Sequence, residues 1–269
     1  VRRAAPPAAQ LGMSVLTSLD LPSLAWVVLA ISALVVGVAK TSIGGMGALA
    51  VGGFALVMPA KESTAAVLLL LIIGDVVAVA SYRRSADWAL LRRLLPAVVP
   101  GIVLGALLMR VVDDRTMTIV IALCILVALG LQLAQRLRPT AGLAPSGHPH
   151  LSATIAAGSA AGFTTMVANA AGPVMALYLL AARVDKARFV GTNAWFFLLV
   201  NVTKVPFSAG LGLFPTTTLL LTLALTPVVL VGTWLGRRLL RVIGQQLFER
   251  LTMAAAAIAV VLLLVRALM

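Results

Sequence analysis

A few cations, hydroxyls and amides interrupt otherwise apolar sequence, and together they suit the capture of a small anion. Lys40-Thr41-Ser42-Ile43-Gly44-Gly45-Met46-Gly47 ends one apolar run with a cation, two hydroxyls and small residues. Thr164-Thr165-Met166-Val167-Ala168-Asn169-Ala170-Ala171-Gly172-Pro173 breaks another with hydroxyls, an amide and a glycine–proline pair. Proline at the first helical position loses no needed donor, so Gly172-Pro173 reads as a helix start. Helix starts offer free N–H groups and partial positive charge, which suits an oxyanion. Asn201 and Lys204 stand three residues apart in the apolar run 188–209 and so share one helix face. A lysine in a membrane core is costly and marks a functional site by default. Pro206 and Gly210 leave a second reading open, in which the helix ends nearby and the Lys204 stem snorkels to an interface. Asp75 is the one charge between Ser63 and Tyr82. It reads as a proton carrier or as the counter-ion of Lys40 or Lys204, and the counter-ion role fits better. Two lysines against one aspartate leave the interior cationic, which favours an anionic substrate. Thr192, Asn193 and Ser208 could add hydrogen bonds, although such residues also serve as interhelical glue.

Catalytic signatures do not occur. There is no His-Glu-x-x-His, no Gly-x-Ser-x-Gly and no phosphate loop. Asp75 has no second carboxylate in a comparable apolar segment, so an intramembrane enzyme built on it lacks a partner acid. The lone Cys124 excludes a disulfide framework, and His148 and His150 are too few for a metal centre. No catalytic residue, cofactor or metal ion is expected. A non-transporting membrane assembly subunit is the remaining alternative.

These residues need elements that hold them inside a bilayer. Of 269 residues, 61% are hydrophobic and 11% charged, where a soluble domain carries about 25% charged. With a mean hydropathy of +1.10, a water-soluble globule is excluded. The basic residues are scattered between greasy runs, which argues against nucleic acid as a partner. Apolar runs and breakers give segments at 24–40, 47–58, 63–82, 90–110, 116–136, 151–167, 172–182, 188–209, 216–240 and 246–268. A spanning helix needs about 20 apolar residues, so the second and seventh are too short to cross comfortably. Each follows a polar break and is expected to form a broken or re-entrant unit, which membranes tolerate only inside protein or beside water.

The proline-bearing linker 138–150 divides the chain almost in half, and within the N-terminal extension 1–20 the opening Val1-Arg-Arg-Ala-Ala-Pro-Pro7 is not followed by a clean signal-peptide core. A shift of about 125 residues lays Gly47-Ala48-Leu49 on Gly172-Pro173-Val174, Lys61 on Lys186 and Asp75 near Asn201. A slightly larger shift lays Gly101 and Gly105 on Gly232 and Gly236. The expected fold is an all-α polytopic membrane protein of two repeats, 21–137 and 151–269. An odd number of crossings per half, five with the short segments spanning and three without, makes the repeats inverted in topology. Their short helices then lie near the membrane midplane. Basic residues within 83–93, 136–138, 183–188 and 237–250 fall on one side, against Arg2, Arg3, Lys61, Arg110, Arg115 and Arg266 on the other. The first side is expected to be cytoplasmic, with both termini periplasmic.

The run from Gly162 to Leu180, Phe189-Val-Gly-Thr-Asn-Ala194 and Asn201-Val-Thr-Lys-Val-Pro206 resemble the second repeat of the sulfite exporter TauE/SafE family. Lys40 to Gly47 is similar to its first-repeat glycine motif, and Ala86-Asp87-Trp88 with Pro100, Gly101 and Gly105 to its next block. The resemblance covers roughly residues 25–268. It departs at Gly52, where relatives often carry proline. It implies a bacterial inner-membrane permease for small sulfur-containing anions such as sulfite, sulfonates or sulfoacetate, with protons as an open choice of coupling ion. Carried over by position, Lys40, Thr41, Ser42, Asn169, Asn201 and Lys204 fall on the family's polar motif positions. With Gly44, Gly45, Gly172 and Asn193 they form the expected substrate site, and Asp75 is the expected coupling residue or charge partner.

Overall fold

The computed structural model describes residues 21–41, 47–137, 150–182, 184–242 and 245–268. These residues form ten α-helices, with no strand among the described residues. The first five are α1 (Ser23–Thr41), α2 (Gly47–Ala55), α3 (Ala60–Tyr82), α4 (Trp88–Val111) and α5 (Asp114–Leu137). The second five are α6 (Leu151–Ala168), α7 (Gly172–Ala181), α8 (Lys186–Gly210), α9 (Thr216–Val242) and α10 (Gln245–Leu268). Each expected apolar segment becomes one helix. The largest differences meet at Pro59: α2 stops at Ala55, three residues early, because Pro59 disfavours helical backbone in the residue before it, and α3 starts at Ala60, three residues early, directly after it.

Lipid forces this outcome, since a backbone polar group in hydrocarbon has no water to bond and a helix satisfies its own. Six helices (α1, α3, α4, α5, α6 and α9) are long and apolar enough to cross a membrane, so this is a multi-pass membrane protein. Large side chains such as Leu104, Leu107, Leu123, Val127, Leu223 and Ile258 point outward, as a lipid-facing surface requires. α2 and α7 have only 9 and 10 residues. They reach about 14–15 Å, half of a hydrocarbon core about 30 Å thick. Within α3, 67% of the spanning window is buried, against 39–44% in the other five, which makes α3 the centre of the bundle.

The helices pair across the middle of the chain. α4 lies along α6, α1 along α9, α3 along α8 and α5 along α10. Glycines set the first two seams. A Cβ on Gly162 would land on the Val98 carbonyl and 3.0 Å from the Ile102 nitrogen; one on Gly37 would land on the Val229 carbonyl and 2.7 Å from the Thr233 nitrogen. Gly37 and Gly162 are 125 residues apart, while Val98 and Val229, Ile102 and Thr233, and the intrahelical Pro96 and Pro227 are each 131 apart. Small residues at such seams let helix backbones touch, the main source of cohesion between helices in lipid. Along α4 and α6 the contacts advance together, from Ala97 with Gly158 to Gly105 with Met166, so these helices run parallel.

Contacts at the helix ends define two faces of the bundle. On one, the Lys61 N–H donates to Asp114 Oδ1 at 3.2 Å, the Thr218 hydroxyl to Glu62 at 3.4 Å, and Arg115 Nε to the Ala267 carbonyl at 2.5 Å. Asp113 caps α5 on this face, and its bonds from Thr116 hold its carboxyl below the ordinary value. On the other face, Asp87 caps α4 by accepting from the Ala89 and Leu90 nitrogens, while its own N–H donates to Thr192 Oγ1 at 2.8 Å. Trp88 packs on Trp195 there, with ring centroids 5.0 Å apart.

Candidate functional site

α3 and α8 cross at the centre of the bundle, and Asp75 meets Asn201 where they cross. Asn201 Nδ2 donates to Asp75 Oδ2 at 2.7 Å, and Lys40 Nζ lies 2.6 Å from Asp75 Oδ1. Gly74 makes that ion pair reachable: a Cβ there would stand 2.7 Å from Cγ of Lys40, so only a bare backbone lets the lysine stem pass α3. The same ammonium lies 4.7 Å from the centroid of the Phe197 ring on α8, a second stabilising contact for a cation taken out of water.

On its other side Asn201 reaches Lys204. Lys204 Nζ donates to Asn201 Oδ1 at 3.3 Å, to Thr165 Oγ1 at 3.2 Å and to Asn169 Oδ1. An ammonium has three N–H donors, and here all three go to neutral oxygens. Lys204 is 1% exposed, Asp75 1% and Asn201 0%, so the snorkelling reading of Lys204 does not hold. Pro206, two residues on, lies inside α8, which continues to Gly210 and keeps Lys204 within the helix. Lys40 is 11% exposed and equally internal.

Asn169 owes its place to backbone geometry. It ends α6 in the left-handed region, with φ 51° and ψ 35°, and is the sole non-glycine with positive φ among the described residues. The Asn169 N–H bonds the Thr165 carbonyl and the Ala170 N–H the Thr164 carbonyl, closing the helix end. The reversal directs the side chain inward, where Nδ2 donates to the Thr64 carbonyl at 3.0 Å and Oδ1 accepts from Lys204. α7 then begins at Gly172 with Pro173 in its first turn, as the glycine–proline pair predicts. Gln135 of α5 holds that start through the Pro173 carbonyl at 2.9 Å.

A single chain of contacts therefore runs Phe197–Lys40–Asp75–Asn201–Lys204–Asn169/Thr165. It joins Lys40, Asp75, Asn169, Asn201 and Lys204 from the expected set. Gly172 begins the next helix, three residues beyond Asn169. Asn193 stands apart, two helical turns before Asn201 on α8 and about 12 Å away along the axis. Thr41 closes α1; Ser42, Gly44 and Gly45 lie outside the described residues, as do the N-terminal extension and nearly all of the 138–150 linker. The sequence reading missed two members. Thr165 was visible as the second hydroxyl of Thr164-Thr165. Phe197 carried no signal, because an aromatic in an apolar run looks like packing.

Asp75 thus has a lysine and an asparagine beside it, not a second acid, and no group of metal-ligating residues occurs among the described residues. Every buried side-chain nitrogen and oxygen among the described residues has a partner, so the cluster is satisfied from within. Two lysines and one aspartate in a buried, low-dielectric setting can attract and partly desolvate an anion.

Comparison with known proteins agrees with this chemistry. No curated protein and no solved structure matches the chain. The family described as Sulfite exporter TauE/SafE matches residues 29–263, most of its length. That is a family of membrane transporters rather than enzymes, with a sulfite or sulfur-anion exporter type of function. With the match running from α1 into α10, the chain belongs to the TauE/SafE sulfite exporter family.

Proposed function

We propose that this protein moves small sulfur oxyanions (sulfite, sulfonates or sulfoacetate) across the bacterial inner membrane by alternating access to the α3–α8 cluster. The observation that carries the reading is Lys204: a lysine 1% exposed whose three donors meet only neutral acceptors. A buried charge without a directly paired opposite charge is costly. An anion that replaces one of these acceptors relieves that cost and gains charge-assisted hydrogen bonds. Lys40 supplies a second cation, and Thr165, Asn169, Asn201 and the N–H groups at the start of α7 replace the anion's water.

The two halves act as inverted repeats. Matching glycine and proline positions and the exchanged pairings α4–α6 and α9–α1 support this. Movement of one half against the other would open the enclosed cluster to each face in turn. The face carrying Arg83, Arg84, Arg92, Arg93 and Arg188 is the cytoplasmic one, by the positive-inside rule, and the termini lie in the periplasm. Lys204→Ala and Lys40→Ala proteins in proteoliposomes test the reading with sulfite and sulfoacetate flux. Loss of either cation lowers flux by about 30-fold or more, equivalent to about 2 kcal/mol. Wild-type flux from both variants overturns it.

A further inference from the structure

We infer that this site loads to electrical neutrality, so that a doubly charged sulfur anion enters with one proton, held on Asp75, whereas a singly charged anion enters without one. The inference rests on the anion-site reading above. The buried cluster holds two lysines and one aspartate, a formal excess of one positive charge. A monoanion cancels that excess. A dianion overshoots it, and an uncompensated charge in a low-dielectric interior is costly enough to draw a proton from the water that admitted the substrate.

The geometry names the acceptor of that proton. Asp75 already occupies the place on Lys40 that a substrate oxygen would take, at 2.6 Å. It is an internal rival for the anion. Its surroundings offer no other carboxylate: α1 presents Lys40, and α8 presents Asn201 with Lys204 beyond it. The other helices packed on α3 are α2, α5, α6 and α9, which carry no Asp, Glu, Lys, Arg or His over 47–55, 116–135, 151–168 and 216–236, and the short turn Arg83–Ser85 adds only Arg83 and Arg84, about two helical turns beyond Asp75. A proton from bulk water converts the carboxylate to a carboxyl group, breaks the ion pair and leaves the Lys40 ammonium to the substrate.

Asn201 transmits the change. In the enclosed state its N–H faces Asp75 and its carbonyl faces Lys204. A protonated Asp75 gains an O–H donor beside its remaining acceptor, which lets the amide turn over when an anion waits at Lys204. The Asp75 O–H then bonds the Asn201 carbonyl, and the Asn201 N–H faces the anion at Lys204. One amide rotation trades an acceptor of the lysine for a donor to the substrate.

The test is calorimetric titration of the purified full-length protein in buffers of different ionisation enthalpy, with sulfoacetate as dianion and methanesulfonate as monoanion. Wild type takes up about one proton per sulfoacetate and about none per methanesulfonate, and sulfoacetate affinity rises about tenfold per unit fall in pH. Asp75→Asn binds sulfoacetate with about no proton uptake and a flat pH profile. Wild-type sulfoacetate binding without protons, or proton uptake retained in Asp75→Asn, overturns the inference and leaves the anion site standing. Failure of wild type to bind either anion overturns the transport reading, and this inference with it. The wild-type pair of titrations decides the stoichiometry independently of whether the variant can be purified.

Discussion

Asn169 combines a backbone duty and a side-chain duty that can be separated by substitution. Its left-handed conformation costs most side chains about 1–2 kcal/mol, and glycine and asparagine the least. Asn169→Gly therefore keeps the turn between α6 and α7 and removes one acceptor from Lys204. Asn169→Ala removes the acceptor and strains the turn as well, so in a detergent thermal melt it is less stable than Asn169→Gly by about 1 kcal/mol. Asn169→Asp separates the two duties further. Its carboxylate pairs with Lys204 and supplies internally the negative charge that the substrate would bring. The protein stays folded, and sulfite and sulfoacetate affinity falls by about tenfold or more, or about 1.4 kcal/mol. Undiminished affinity in Asn169→Asp would place the anion somewhere other than Lys204. That this residue stands apart from its surroundings was legible from the sequence, because an amide among small residues before Gly172-Pro173 is an unusual break. Its direct contact with Lys204 was not, since that depends on a left-handed turn that sequence spacing does not encode.

Among the elements, the glycine seams decide whether the α3–α8 crossing is held in place. A Cβ on Gly101 would land on the Ser159 carbonyl and 2.7 Å from the Phe163 nitrogen, and one on Gly232 would stand 2.5 Å from the Leu34 carbonyl. Backbone cannot yield as the end of a side chain can. Gly101→Ala and Gly232→Ala each lower stability by about 1–3 kcal/mol, the usual range for overpacking. Gly130 on α5 faces open space, so Gly130→Ala is the control and shows no loss in the same melt. Equal melting of all three variants would mean that the seams do not bear on stability. Element positions were readable because glycines, prolines and polar breaks punctuate apolar runs at every boundary. Which faces meet was much less readable. α3 and α7 are apolar nearly all round, and α6 and α8 scatter their polar residues around the helix, so no stripe in them distinguishes an inward from an outward side. For that reason Asp75, Asn201 and Lys40 could be recognised as unusual one by one, while the chain of contacts joining them needed three dimensions.

For the molecule as a whole, the pairing of helices across the two halves has a consequence for sidedness. α4 and α9 carry Pro96 and Pro227, and Gly101 and Gly232, at a common separation, the spacing on which the proposed repeat relation rests. Yet the end of α4 lies with the start of α9. Arg110 flanks the same groove as Lys61 at the start of α3, and Glu62 beside it meets Thr218 at the start of α9. The two helices thus point in opposite directions through the bundle, as the proposed inverted duplication requires. Arg110 and Arg238, near the corresponding helix ends, are both exposed and give the test. In a Cys124→Ser background, an impermeant maleimide applied to intact cells with a permeabilised outer membrane labels Arg110→Cys if the proposed orientation holds. It reaches Arg238→Cys only after the inner membrane is opened, because that end lies with the arginine-rich face. Labelling of both from the outside would mean that the halves share one orientation, and two inversely related gates around a single central site would then have no basis. Labelling of Arg238→Cys alone would keep the inversion and turn the whole protein over in the membrane. The face with Lys61 and Arg110 would then be the one from which cytoplasmic anion enters.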